Sequence, residues 1–360
     1  MEQFSCRTTI VSGEGALSVL KEQAGRRMLL VTDRMQISGG MTQRIRGMLK
    51  PESDSCIDTV TPEPTMGQAV EGAKQIKEFN PELVVAVGGC HVLDCAKAMV
   101  CFSQKNCRLV VLPTEAASGT EVTDRVILTH DGRRHRFRNS AMRPDMVILD
   151  SNLLETNTSS QVAEGGFEIL SNSLQTFIGN NRGMLATLHA REAFSVCWGA
   201  LPAAFAGNLH ARGRMQAASA MAGIAYGQNG LGLCHAMEDS LGILFHLSRG
   251  KLAGILLPAV IGCNAHAGGS RLAELARIGG MGGSSETVGV RNLKAGLIRM
   301  RRELGLPATL AQAGVNPRWV WSNAKKIVEL TLENPECRNN PVTADDFLVR
   351  RILEEITGHY

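Results

Sequence analysis

Short, unbroken apolar runs that alternate with helical stretches constrain the first part of this sequence more than any other feature. The runs are residues 28–32, 83–87, 109–112 and 146–149. A β-branched run without polar alternation is typical of a strand buried on both faces, as in a parallel sheet covered by helices. Between the third and fourth runs, Asp131-Gly132 predicts a hairpin turn.

Beyond residue 150 the strand pattern nearly disappears, and Leu-rich and Ala-rich stretches predict helices to the end of the chain. Residues 279–285 predict a glycine-rich loop between two helices. Thr343, followed three residues later by Asp346, predicts the start of the last helix through a variant capping box. A length of 360 residues also suits two domains. We therefore predict an α/β domain over residues 1–150 and an all-helical domain over residues 151–360.

Composition limits the classes of partner. A formal net charge of +4 and an aromatic content of 4% argue against a nucleic-acid surface. No apolar run reaches the length of a membrane span, about 18 residues, and we expect no membrane partner and no signal peptide. Ten cysteines without a Cys-x-x-Cys pair indicate free thiols in a reducing cytoplasm.

The second apolar run ends in two glycines, and a helix follows near Asp94. Gly88 and Gly89 would let the backbone approach a pyrophosphate, and the helix N-terminus would offer free N–H groups. Many strand-to-helix turns use two glycines for steric reasons alone. The turn by itself therefore leaves both interpretations open.

Two longer motifs carry a specific resemblance. They read Gly88-Gly89-Cys90-His91-Val92-Leu93-Asp94-Cys95-Ala96-Lys97 and Pro113-Thr114-Glu115-Ala116-Ala117-Ser118-Gly119-Thr120-Glu121-Val122-Thr123. From about residue 5 to residue 355 the chain resembles the iron-dependent (group III) alcohol dehydrogenases. The resemblance is nearest to the 1-propanol and ethanol dehydrogenases of bacterial microcompartments. It implies a dehydroquinate synthase-like architecture and NAD-dependent alcohol or aldehyde oxidoreduction.

The resemblance assigns a set of positions to the dinucleotide site: Asp33, Gly88, Gly89, Cys90, His91, Asp94, Lys97, Thr114, Glu115, Ser118 and Arg134. Some of them depart from the family pattern. Cys90 replaces a glycine, His91 a small hydroxyl residue and Glu115 a threonine. A side chain at position 90 crowds the phosphates and a carboxylate at position 115 repels them. We therefore expect weak NAD binding.

Two of these assignments keep an alternative. Asp33 suits a ribose 2′-hydroxyl and repels a 2′-phosphate, which favours NAD over NADP, but a strand end also uses Asp as a turn former. Arg134 aligns best with a cofactor-facing lysine, whereas a solvated hairpin would carry the same basic residues.

The metal ligands of the family fall on four positions of this chain. Glu168 stands where the family has an aspartate, and Asn172 where it has a histidine. Of the two further family histidines, one is retained as His235 and the other is replaced by Arg249. A further histidine near the substrate becomes Asp239, whose catalytic role is thereby in doubt. In the family, the metal acts as a Lewis acid that holds the alcohol oxygen as an alkoxide.

Asn172 is a weak neutral donor, and the guanidinium of Arg249 has no lone pair to give a metal. We therefore expect iron or zinc to be absent, with Arg249 as counter-charge to Glu168 in place of the metal. In the alternative for this pair, Arg249 turns outward and Glu168 takes water. A second alternative is a rebuilt metal site of Glu168, His235 and Asp239. Without ligand partners, His235 also reads as a structural histidine.

Three functions follow from these observations. The first is an NAD-dependent oxidoreductase acting on a small alcohol or aldehyde, with metal-dependent activity weakened or lost. The second is a non-catalytic pseudoenzyme that serves as structural or regulatory partner of an active dehydrogenase or an encapsulated pathway. The third is a metal-free enzyme that uses Arg249 to hold an oxyanion. The resemblance further implies a homodimer, a cytoplasmic location and a possible place among microcompartment proteins.

Overall fold

The computed structural model describes residues 4–358. These form two compact units, one over residues 5–157 and one over residues 158–358, with Phe4 grouped with the second. The division falls a few residues beyond the predicted one. The short 3₁₀ helix Ser151–Leu154 belongs to the first unit, and the Asp150 carboxylate both caps this helix and accepts the Leu17 backbone N–H at 2.9 Å.

The first unit is built on a six-stranded, all-parallel sheet in the order β1-β8-β5-β4-β2-β3, with β6 and β7 as a separate antiparallel hairpin. The strands are β1 Thr9–Ser12, β2 Arg27–Val31, β3 Ser53–Ile57, β4 Leu83–Gly88, β5 Arg108–Pro113, β6 Arg125–His130, β7 Arg133–Arg138 and β8 Met146–Leu149. The helices are α1 Arg34–Ser38, α2 Met41–Leu49, α3 Met66–Phe79 and α4 Cys90–Ser103.

The four predicted strands and the hairpin are confirmed as β2, β4, β5, β8 and the β6–β7 pair. Every residue of β4 is buried, as a strand covered on both faces requires. At the hairpin turn Asp131 and Gly132 have φ values of 48° and 68°, the left-handed conformation that a tight turn needs. The carboxyl ends of β4 and β5 lie side by side, which brings Gly88 next to Pro113.

The second unit is helical throughout. Its helices are α5 Ser159–Ile178, α6 Met184–Phe205, α7 Leu209–Asn229, α8 Leu233–Phe245, α9 Arg249–Ile278, α10 Glu286–Glu303, α11 Pro317–Ser322, α12 Ala324–Glu333 and α13 Asp346–Thr357. The predicted glycine-rich loop lies between α9 and α10. The predicted start of the last helix is wrong: α13 begins at Asp346, because Asp345 accepts the Leu348 N–H at 2.7 Å and serves as the N-cap.

The α9 helix is long and apolar enough to cross a membrane by length and composition alone, and 72% of its most apolar window is buried inside the protein. Burial of this extent is typical of the core helix of a helical domain. At the start of α9, a Cβ at Gly250 would lie 2.2 Å from the Glu164 carbonyl oxygen of α5. Only glycine therefore allows α9 and α5 to approach so closely.

Candidate functional site

The turn between β4 and α4 has the backbone of a phosphate cradle. Gly88 has a φ of 156°, and a Cβ there would lie 2.6 Å from Val92 Cγ2, so glycine is required on both counts. Gly89 is the N-cap of α4 and has no side chain to cap the helix. The predicted glycine turn is thus formed, but the helix begins at Cys90, directly after the glycines, and not near Asp94 as predicted.

The Glu115 carboxylate lies over this turn. A Cβ at Gly89 would lie 2.7 Å from Oε1 and 3.0 Å from Oε2 of Glu115. The Glu115 loop is held beside the turn because the Thr114 N–H donates to the Gly88 carbonyl at 3.1 Å. Glu115 therefore places a negative charge where a glycine turn normally admits a pyrophosphate.

Asp33 and His91 are brought together at the same edge of the sheet. His91 Nε2 lies 3.4 Å from Asp33 Oδ2, and Asp33 Oδ1 accepts the Gln36 N–H at 3.0 Å as the N-cap of α1. Burial would raise the pKa of Asp33, but the hydrogen bonds from His91 and Gln36 outweigh burial and hold this pKa below its usual value. Asp33 is therefore an ionised carboxylate that serves as turn former and partner of His91.

Gln36 is a residue of this edge that the sequence did not single out. Its Nε2 lies 3.4 Å from the Thr114 hydroxyl, so it links the end of β2 to the loop after β5 (residues 114–124), which we call the second loop. No sequence pattern pointed to it, because Asp33 was predicted as a turn former and not as a helix N-cap. Asp33, His91, Thr114 and Glu115 thus converge at the glycine turn, as the resemblance implied, while their contact with a dinucleotide stays a prediction.

Asp94 and Lys97 lie behind the turn. Lys97 is fully buried, and its Nζ donates to the carbonyl of Thr120 at 2.9 Å and lies 3.3 Å from Asp94 Oδ1. Asp94 also accepts the Thr120 hydroxyl and, at 3.0 Å, the Ile127 N–H. Burial lowers the pKa of Lys97 and outweighs the negative charge of Asp94, which would raise this pKa. The pair fastens α4 to the second loop and to β6.

Replacing Lys97 by Met should destabilise the first unit, because Asp94 would remain buried without its cation. We expect Lys97→Met to lower the free energy of unfolding by about 3 kcal/mol. Urea denaturation followed by circular dichroism measures the change. The exposed Lys105→Met serves as control and should leave stability unchanged, and equal stability of the two variants would contradict the role of Lys97 as an anchor.

Ser118 and Arg134 make contacts elsewhere in the first unit, one within the second loop and one on the hairpin. The Ser118 hydroxyl accepts the Thr120 N–H at 3.3 Å. Arg134 pairs with Glu63 through two of its nitrogens, one of them 3.3 Å from Glu63 Oε2, and 11% of its side chain is exposed. This ion pair joins the hairpin to the segment before α3. A cofactor-facing role for Arg134 stays a prediction.

The four positions that the resemblance assigns to the metal all lie in the helical unit. Glu168 and Asn172 are buried on successive turns of α5, and His235 is buried in the first turn of α8. Arg249 is the first residue of α9, after the N-cap Ser248. A cation at a helix N-terminus meets an unfavourable helix dipole and needs a counter-charge.

Asp239 supplies this counter-charge. Arg249 Nη2 donates to Asp239 Oδ1 at 3.2 Å, and the Asn334 amide donates to Asp239 Oδ2, also at 3.2 Å. The side chains of Arg249 and Asp239 are 20% and 10% exposed, so the pair is largely removed from water. Arg249 therefore turns inward, onto the residue aligned with a substrate-side histidine. Its predicted pairing with Glu168 stays a prediction.

His235 lies between two carboxylates. Its Nδ1 is 3.5 Å from Glu238 Oε2 and its Nε2 is 3.9 Å from Asp239 Oδ2. Glu238 is fully buried and also accepts the Ser171 hydroxyl at 2.9 Å. Sequence reasoning missed Glu238, although its place three residues after His235 puts both on one helix face. The imidazole is thus enclosed by protein acceptors.

Cys234 completes this buried network. Its thiol lies 3.4 Å from Glu238 Oε1, and burial together with the charge of Glu238 raises its pKa well above the usual value. A neutral thiol is a poor nucleophile. Gln175 closes the network from α5, where its Oε1 accepts the N–H groups of Gly232 and His235 at 3.0 Å and caps α8.

At the positions aligned with the metal ligands, Asn172 is a weak neutral donor and Arg249 has no lone pair to give a metal. Over residues 4–358 no group of three His, Cys, Asp or Glu side chains is arranged to hold a metal ion. A rebuilt site of Glu168, His235 and Asp239 would place the metal beside Arg249, whose Nη2 lies 3.2 Å from Asp239 Oδ1. The guanidinium of Arg249 beside Asp239 adds charge repulsion against any metal there.

Comparison with known proteins matches both units. The family described as iron-containing alcohol dehydrogenase matches residues 7–151, and its C-terminal family matches residues 162–357. The chain is 30% identical to the 1-propanol dehydrogenase PduQ of Salmonella typhimurium, covering 99% of this chain and all of that protein. PduQ of Citrobacter freundii is 29% identical over the same shares of the two chains. An iron-containing alcohol dehydrogenase from Thermococcus thioreducens superposes with a TM-score of 0.90 at 25% identity, covering 98% and 99% of the two chains.

Proposed function

Because this chain belongs to the iron-containing alcohol dehydrogenase family, we propose that it is an NAD(H)-binding oxidoreductase whose metal-dependent turnover of alcohols or aldehydes is strongly reduced. The pairing of Arg249 with Asp239 at 3.2 Å carries this proposal. The pair puts a fixed cation among the positions that hold the metal in the family. A guanidinium polarises an oxygen less strongly than a divalent ion and cannot bind an alkoxide as a ligand.

The residues around the glycine turn support weak binding of NAD(H), and no higher affinity for NADP(H). The glycine turn, the capless α4 N-terminus and Asp33 suit a dinucleotide. The carboxylate of Glu115, which lies against Gly89, would repel the phosphates of the dinucleotide. An ionised Asp33 would also repel a 2′-phosphate, which favours NAD over NADP.

The substrate class comes from the relatives. The two relatives above are named 1-propanol dehydrogenases, and we propose a small primary alcohol or its aldehyde as substrate. A homodimer, a cytoplasmic location and a place in a bacterial microcompartment are further proposals that rest on the family resemblance.

Metal content and turnover of the purified protein test the proposal together. After purification with added Fe²⁺ or Zn²⁺ and dialysis, we expect no stoichiometric metal by elemental analysis. NADH-dependent reduction of propanal should be slower than in an active relative by about 100-fold or more, since the Lewis acid contributes several kcal/mol. One metal ion per chain retained through dialysis, with relative-like turnover, would contradict the proposal.

A second candidate is a non-catalytic partner of an active dehydrogenase. Two observations together favour it. Glu115 lies where the phosphates of a dinucleotide would bind, and Arg249 lies at the positions aligned with the metal ligands. Both changes would be tolerated if the fold were kept for assembly alone. Measurable binding of NADH at micromolar concentration would favour the oxidoreductase, and an absence of binding at millimolar NADH would favour the partner role.

A further inference from the structure

A cavity in the helical unit is lined by three basic side chains and by no acidic one. It has a volume of about 660 Å³ and lies between the end of α10, the loop that follows and the start of α9. The basic residues are Lys251, Arg301 and Arg302, and an apolar wall is formed by Ile298, Leu306 and Pro307. A volume of this size accommodates a small organic molecule.

Arg301 is held in place by the backbone around the cavity. Its Nη1 donates to the Gly254 carbonyl at 3.1 Å and lies 3.5 Å from the Ala308 carbonyl. Burial lowers the pKa of Arg301. In the described part of the chain no carboxylate pairs with Arg301 or Arg302, so neither cation has a protein counter-charge.

Lys251 adds a movable cation at the start of α9. Its Nζ lies 3.6 Å from Glu164 Oε1, and 41% of its side chain is exposed. A pair of this length and exposure contributes little to stability. The ammonium group can therefore turn towards an anion in the cavity at small cost.

We infer that this cavity binds a small organic phosphate. Two guanidinium groups and an ammonium group match the oxygens and the charge of a phosphate monoester. Ile298, Leu306 and Pro307 offer an apolar surface to its carbon skeleton. The site uses no residue of the glycine turn and none of Glu168, Asn172, His235, Asp239 and Arg249, so it does not depend on the proposed oxidoreductase function.

Benzyl phosphate is a suitable probe because it joins a phosphate to an apolar ring, and benzyl alcohol is its neutral counterpart. Isothermal titration should show saturable binding of one benzyl phosphate per chain and none of benzyl alcohol. The double variant Lys251→Gln/Arg302→Gln should weaken binding about tenfold or more. Arg301 is left intact because it also holds the loop.

Arg299→Gln is the matched control, since Arg299 is exposed on α10 and does not line the cavity. It should leave the affinity for benzyl phosphate unchanged. Three outcomes would overturn the inference: no saturable binding by the wild type, unaltered binding by the double variant, or an equal loss in Arg299→Gln. Unaltered binding by the double variant would place the anion elsewhere, for example at the glycine turn.

Discussion

The triple variant Glu168→Asp, Asn172→His and Arg249→His should bind about one Zn²⁺ or Fe²⁺ per chain, whereas the wild type should hold none. The changes remove the guanidinium that occupies the cluster and supply two imidazole nitrogens beside His235. Asp239 would lose its partner Arg249 and become available to a metal or to solvent. Elemental analysis after dialysis measures the gain, which requires no turnover.

The single variant Arg249→Gln separates loss of charge from gain of ligands. It removes the cation without adding a good donor, so it should stay free of metal. It should also be less stable than the wild type, because Asp239 would lose its cation, while it keeps the Asn334 amide and the more distant His235. A well-folded triple variant that binds no metal would contradict our reading of the four positions.

Replacing Glu115 should strengthen the binding of NADH. Removing one charge near a pyrophosphate at a partly exposed site is worth about 1.4 kcal/mol, which is about tenfold in affinity. Glu115→Gln keeps the size and removes the charge, and Glu115→Ala also clears the space against Gly89. NADH fluorescence titration measures both, and we expect the Ala variant to bind at least as tightly as the Gln variant.

The control for this titration is Glu78→Gln, which removes a carboxylate from an exposed position at the end of α3. If long-range charge dominated, this control would gain as much affinity as Glu115→Gln. If all three variants bound NADH as the wild type does, the carboxylate at the glycine turn would not be what limits binding.

The buried part of the sheet could be read from the sequence, and its edges could not. The strands β2, β4, β5 and β8 have apolar cores that no surface element would carry. The strands β1 and β3 escaped prediction because edge strands need no such pattern: β1 has three exposed residues of four, and β3 is the polar segment Ser-Asp-Ser-Cys-Ile. Beyond residue 150 the helical character was predicted, but helices buried on several sides, such as α7, lack a clear amphipathic period, so their bounds were not predicted.

The candidate sites show the same limit in another form. Motif positions such as Glu168, His235 and Arg249 followed from the resemblance, because they keep their register in the chain. The hydrogen-bond and ion-pair partners of these residues depend on side-chain conformation, which the sequence pattern does not give. Asp239 as partner of Arg249, and Glu115 lying across Gly89, therefore emerged only with the structure.

The anchorage of α4 by Asp94 and Lys97 has a consequence for how such a protein changes over generations. The two side chains hold the second loop and β6 against α4 from inside the protein. Substitutions at outward positions such as Cys90 and Glu115 can therefore accumulate while the loops keep their course. The residues that fix the course of these loops are thus separate from the residues that would face a ligand.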